Sequence, residues 1–258
     1  MPFVSLERSG DAAVVTLRRP EALNAISGAM AEELGACFAE ASGRDDCRIV
    51  VLRAEGDKAF CVGADLKERA GFTLEDFYDN RARIRGLFAS LRAVPQPTVA
   101  SVFGFVLGGG FELALSCDLV VAADDALLGL PEARVGLLPA GGGTQLLTRA
   151  IGPRRAKDLI FRGRRIDAAE ALALGLVTEV CARSDLADRT MSLAEEVCTA
   201  SPVAVGAAKR SIDAAPGIPL DDGIEVEDAA WRTVVASRDR AEGIAAFTEK
   251  RAPRWENR

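Results

Sequence analysis

Short apolar runs alternate with helical stripes along the first half of this chain, and that alternation constrains its fold more than any other feature. Val14-Val15-Thr16-Leu17, Ile49-Val50-Val51-Leu52, Thr98 to Val102, Leu119-Val120-Val121-Ala122 and Ala126-Leu127-Leu128-Gly129 read as short strands with little polar surface. Between the first two, Ser27 heads a helix to about Ser42, with Met30, Leu34 and Phe38 near helical spacing. Ala54 to Ala64 reads as a loop. Thr73, with Asp76 three positions on, predicts a capped helix start. Phe77, Ile84, Leu87, Phe88 and Leu91 continue its stripe until Pro95 and Pro97 break it. A glycine triplet, Gly108-Gly109-Gly110, leads into a short helix from about Phe111 to Cys117. Strand, loop and helix units repeated in this way predict an α/β fold.

Past Val180 strand signals become sparse. Ser201-Pro202 reads as an N-cap with proline at N1, and Asp239 with Glu242 as a capping box. The expected organisation is a core over 1–198 and a helical region over 199–258. A chain of 258 residues, 49% of them hydrophobic, can bury a core of that size.

A net charge of −6 argues against a general nucleic-acid or anionic-membrane binder. No apolar stretch reaches about 18 residues, so no membrane span is expected. Met1-Pro2-Phe3-Val4 has no basic segment leading into an apolar run, and the expectation is a soluble, cytoplasmic protein. The cysteines at 37, 47, 61, 117, 181 and 198 have no CxxC spacing, and the chain contains no histidine. Neither a zinc site nor a disulfide framework is supported, and the cysteines read as reduced thiols.

Without histidine, proton transfer near neutral pH must use other groups, and two glutamates are placed for it. Glu112 follows the glycine triplet within Phe111-Glu112-Leu113-Ala114-Leu115, and Glu132 follows Leu130-Pro131, ahead of Pro139-Ala140-Gly141-Gly142-Gly143-Thr144. A carboxylate in apolar surroundings is costly unless paired or neutralised, and such groups carry shifted pKa values. Alone, Glu112 also reads as a buried carboxylate tied to an arginine and Glu132 as a solvated turn residue, but together, beside a possible oxyanion site, they read better as an acid–base pair. The triplet could hold a phosphate or an oxyanion on the helix N-terminus, or could serve tight packing of helix on sheet. Phe60 to Lys67 offers a second set of backbone donors around Gly63-Ala64-Asp65, or an ordinary polar turn. Asp65 and Asp118 read as loop braces. A dinucleotide fingerprint fails, because Leu113 stands where the third glycine of G-x-G-x-x-G is required.

Taken in order, Arg19-Pro20-Glu21-Ala22-Leu23-Asn24-Ala25, Phe60 to Lys67, Gly104 to Asp118, Leu130-Pro131-Glu132, Leu138 to Gln145 and Phe247-Thr248-Glu249-Lys250-Arg251 resemble the enoyl-CoA hydratase/isomerase (crotonase) superfamily over nearly the whole chain. The resemblance implies a spiral of ββα units with a helical C-terminal trimerisation region, assembled as a homotrimer or a hexamer. It implies an acyl-CoA thioester substrate and no further cofactor. The thioester carbonyl would rest on the amides of Ala64 and Gly109. Glu112 and Glu132 would be the catalytic pair, and keeping both favours hydration of a 2-enoyl-CoA to a 3-hydroxyacyl-CoA over isomerisation. Ala22, Leu23, Asp65, Leu66 and Lys67 fall where the family contacts substrate and CoA, with Phe247 and Lys250 reaching in from a neighbouring subunit. Gly63 to Ala70 and Glu249 to Arg254 look most like methylglutaconyl-CoA hydratases, whose substrate carries a distal carboxylate that Arg81 or Arg85 could receive. A non-enzymatic alternative is a CoA-ester or RNA-binding module. For RNA, the stretch matching the lysine-rich helix of one relative, Ser27 to Asp46, carries five acidic residues and no lysine.

Overall fold

A computed structural model describes residues 2–257 and arranges the apolar runs in two sheets. An antiparallel hairpin of β1 (Val4–Ser9) and β2 (Ala12–Leu17) opens the chain. There follow β3 (Ile49–Ala54), β4 (Ala59–Cys61), β5 (Thr98–Val102), β6 (Phe105–Leu107), β7 (Leu119–Ala123), β8 (Leu127–Gly129), β9 (Arg165–Asp167) and β10 (Glu179–Cys181). The larger sheet runs β1-β2-β3-β5-β7-β10 and is parallel beyond the first hairpin. The smaller runs β4-β6-β8-β9, parallel except between β8 and β9. Every residue of β2 and β5 is buried, as strands covered on both faces require.

From β3 to β8 consecutive strands alternate between the sheets, and helices follow each pair. Leu66–Arg69 and Leu74–Arg92 follow β3 and β4, Gly109–Leu115 follows β5 and β6, and Gly143–Ile151 follows β7 and β8. Each ββα turn therefore adds one parallel strand to each sheet, and the chain advances as a spiral. Phe38, Phe60, Phe88 and Phe111 fill its interior. After β10 the chain is helical, ending in Pro202–Ala214, Leu220–Val235 and Arg238–Glu249.

Local signals placed three helix starts correctly. Ser27 accepts from the Met30 amide, Ser201 from the Ala204 amide, and Thr73 and Asp76 form the reciprocal capping box. Asp239 departs from the expected pattern. Ser237 caps the last helix, and the Asp239 carboxylate is buried, accepting from Ser201 Oγ and from the amides of Glu256 and Asn257. Tertiary partners had a stronger claim on that carboxylate than its own helix. The expected loop over 54–64 contains β4, which has three residues and is held by pairing with β6. Such a run is too short for periodicity to reveal. Phe77 lies at the margin of its stripe, half-exposed, with its ring edge-on to Phe72 at 5.4 Å.

Within the glycine triplet, Gly110 serves tight packing of helix on sheet. A Cβ on Gly110 would sit 2.2 Å from Cys61 O, so the helix Gly109–Leu115 lies directly on the β4 backbone. Gly110→Ala is expected to destabilise the protein by about 3 kcal/mol through this overlap. Urea unfolding would show a lowered midpoint at unchanged slope.

Candidate active site

Parallel pairing of β4, β6 and β8 brings their C-terminal ends to one edge of the smaller sheet, where α/β folds commonly bind ligands. Ala64 lies just past β4, Gly109 just past β6, and Glu132 just past β8. Glu112 is three residues beyond Gly109 on the same helix, hence on the same face. All four line one cleft of about 860 Å³, counted to its open mouth. Ile26, Val62, Ile84, Phe88, Leu137 and Leu138 give it a largely apolar wall.

The first two loops approach each other closely. Gly63 has a φ of +88°, and a Cβ on it would meet the Gly109 nitrogen at 2.8 Å. Neither Ala64 N–H nor Gly109 N–H donates to a backbone acceptor among the described residues. Two amides without a backbone acceptor thus lie on adjoining loops of the cleft, an arrangement suited to a polarised carbonyl oxygen.

A second layer holds the Ala64 loop in place. Ile26 N–H donates to Gly63 O at 2.7 Å, Asp65 N–H to Ile26 O at 3.0 Å, and Val62 N–H to Leu23 O at 3.2 Å. Asp65 is buried. Its carboxylate caps Leu66–Arg69 through the Lys67 and Glu68 amides and pairs with Arg19 at 2.7 Å. Ala22 and Leu23 sit in the turn that packs against this loop. Buried Asn24 fixes that turn, accepting from Arg19 N–H and donating to Glu55 O and Ala59 O. Leu66 lines the cleft, while Lys67 is exposed beside it in sequence. Phe247, 87% exposed, and Lys250 lie on the surface at the end of the last helix, apart from the cleft lining. Asp118 braces β5, accepting from Thr98 N–H and Oγ1 and pairing with Lys209.

The two glutamates are both buried but differ in their hydrogen bonds. Glu112 is 3% exposed, and burial pushes its pKa up. Against that, its Oε1 accepts from Gly143 N–H at 2.7 Å and Gly141 N–H at 2.8 Å, and donors aimed at a carboxylate favour its ionised form. Its partners are therefore backbone amides, where the sequence had left an arginine open. Glu132 is no solvated turn residue. Burial raises its pKa to about 7, reinforced by the charge of Glu112, while a backbone hydrogen bond partly opposes the rise. Its Oε2 is buried and has no hydrogen-bond partner among the described residues, which favours the protonated carboxyl. One site thus holds two buried carboxyls, both with raised pKa, of which Glu112 has amide donors that favour its anion and Glu132 has a buried oxygen without them.

Sequence reasoning missed the Gly141 and Gly143 amides as the support of Glu112, although the glycine run ahead of Thr144 was visible. It also passed over Arg69, which lines the cleft.

Known proteins share this sequence pattern and this fold. A family model described as enoyl-CoA hydratase/isomerase matches residues 7–258. Enoyl-CoA hydratase domain-containing protein 2, mitochondrial, of Mus musculus is 40% identical over 245 residues, covering 93% of this chain and 83% of that protein. A Mycobacterium tuberculosis protein named "Probable enoyl-CoA hydratase" is 39% identical over 255 residues, covering 99% of this chain and 98% of its own. The crystal structure of enoyl-CoA hydratase from Bacillus anthracis superposes with a TM-score of 0.96 at 38% identity, covering 99% of this chain and 100% of that one.

Proposed function

We propose that this chain, which belongs to the enoyl-CoA hydratase/isomerase family, adds water across the C2=C3 bond of a 2-enoyl-CoA to give a 3-hydroxyacyl-CoA. The observation that carries the reading is the unequal pair of carboxyls over two amides without a backbone acceptor in one cleft. The thioester oxygen would accept from Ala64 N–H and Gly109 N–H, which stabilise the enolate that forms as C3 is attacked. Glu112, whose Oε1 accepts from the Gly141 and Gly143 amides, would take a proton from the attacking water. Glu132 would deliver its proton to C2. The oxygen of water ends on C3, one hydrogen ends on C2, and the carboxyls exchange protons with solvent before the next turnover.

Assembly into trimers belongs to the same reading. It is supported by apolar side chains left exposed on the terminal helices, among them Ile212, Leu220, Trp231 and Phe247.

The test is purified protein with crotonyl-CoA, followed by loss of the conjugated enoyl absorbance and by identification of 3-hydroxybutyryl-CoA. Loss of absorbance with that product is expected. An unchanged absorbance, with a 3-enoyl-CoA converted to its 2-enoyl isomer instead, would replace hydration by isomerisation.

A further inference from the structure

The turn that carries Glu132 is thinly held. Glu132–Val135 is a single 3₁₀ turn, and the residues from Ala133 to Gly136 are exposed. Its backbone bonds are local: Arg134 N–H donates to Pro131 O at 2.9 Å, Gly136 N–H to Ala133 O at 3.3 Å, and Leu137 N–H to Glu132 O at 3.0 Å. One side chain ties it to the rest of the fold. Arg134, which lines the cleft, donates through Nε and Nη2 to Arg162 O at 3.0 and 2.7 Å. These are the turn's only hydrogen bonds to another element among the described residues.

The far end of that tie is itself braced. Arg162 closes the helix Pro153–Arg162, and its carbonyl lies at the negative end of the helix dipole, where a guanidinium is favoured. Asp158 pairs with Arg162 at 2.8 Å and with Arg164 at 2.9 Å, and Arg164 pairs with Glu170 at 2.6 Å. Gly163 follows with a φ of +53°, and a Cβ there would meet Arg134 Nε at 2.8 Å and Cγ at 3.0 Å. The arginine lies in the room that the missing Cβ leaves. The charge that bears on Glu132 is that of Glu112, on Gly109–Leu115, and Arg69 is the other cation lining the cleft. Arg134 is turned to Arg162 O and meets Glu132 through the backbone they share.

We propose that Arg134 is a positioning residue for the acid: its clamp on the end of Pro153–Arg162 fixes the Glu132 turn, so that the carboxyl stays dry and over the cleft. The proposal rests on the hydratase reading, in which Glu132 delivers a proton to C2, and adds the group that holds it there. A carboxyl on an untied turn would sample positions away from C2, and a misplacement of about 1 Å already costs a large factor in rate. Water reaching the loosened carboxyl would also favour its anion.

The test follows crotonyl-CoA hydration by Arg134→Met, Arg134→Lys and Gly163→Ala across pH. Arg134→Met is expected to lower kcat by roughly 10–100-fold, with KM changed by less than about threefold. The alkaline limb of its kcat/KM should move to lower pH than in the wild-type protein. Arg134→Lys keeps a cation able to donate to Arg162 O and should recover part of both effects. Gly163→Ala crowds the arginine from outside the cleft lining and should shift kcat and the limb in the same directions, which carries the test if Arg134→Met folds poorly. A lowered urea midpoint with kcat and the alkaline limb unmoved would show a structural clamp only and overturn the proposal. So would a raised KM at unchanged kcat, which would put Arg134 on the substrate. A wild-type protein that isomerises a 3-enoyl-CoA and hydrates nothing sinks the hydratase reading instead; isomerisation by the same variants then decides the Arg134 assignment.

Discussion

Glu112→Gln is expected to lower the rate of crotonyl-CoA hydration by about 10²–10⁴-fold while leaving the fold intact. The substitution is nearly isosteric, and the glutamine oxygen can still accept from Gly141 N–H and Gly143 N–H. What disappears is the group that can take a proton from water. A charge is also removed from a position only 3% exposed, so the urea midpoint should hold or rise. Initial rates and an unfolding curve on the same preparation check both halves. A rate within about tenfold of wild type would remove Glu112 from the role of base. Isomerisation of a 3-enoyl-CoA could survive in this variant without harm to the assignment.

Glu132→Gln should be comparably severe, with a different signature. The carboxyl pKa is raised to about 7, chiefly by burial, so the acid form needed for proton delivery to C2 is lost as pH rises through about 7. Wild-type kcat/KM should therefore fall on the alkaline side with an apparent pKa near that value, a property of the coupled pair. The residual rate of Glu132→Gln should lack that limb. Stability follows the same proton. A carboxyl titrates near 4.3 in the unfolded chain and near 7 here, so the folded state holds its proton more tightly. The stability it contributes is complete below about 4.3 and is lost as pH rises through about 7. Denaturation midpoints of wild type and Glu132→Gln should accordingly diverge across that window. Hydration or isomerisation near wild-type rates in Glu132→Gln would rule out the proton-donor role.

Much of the scaffold was legible locally. The runs at 14–17, 49–52, 98–102 and 119–122 became central strands, because a segment that must be covered on both faces has few residues other than apolar ones to use. Ser27, Thr73 and Ser201 announced their helices, because a cap is a contact across only a few residues. The three-residue strands β4, β6 and β9 left no such trace, and Asp239 was misread because its partners are up to 38 residues away.

The candidate site divides along the same line. By itself the sequence determined that Glu112 would be buried, since it sits on a short helix among Phe111, Leu113, Ala114 and Leu115, and that the backbone could be approached at Gly108–Gly110. Only the tertiary structure decided what those features do. Parallel pairing of β4, β6 and β8 set Ala64, Gly109 and Glu132 over one cleft, and Gly141 and Gly143, 29 and 31 positions from Glu112, gave it amide donors that oppose the effect of its burial. The reason is physical: burial follows the local pattern of apolar residues, whereas the charge state of a buried group is set by whichever donors and charges the fold brings to it.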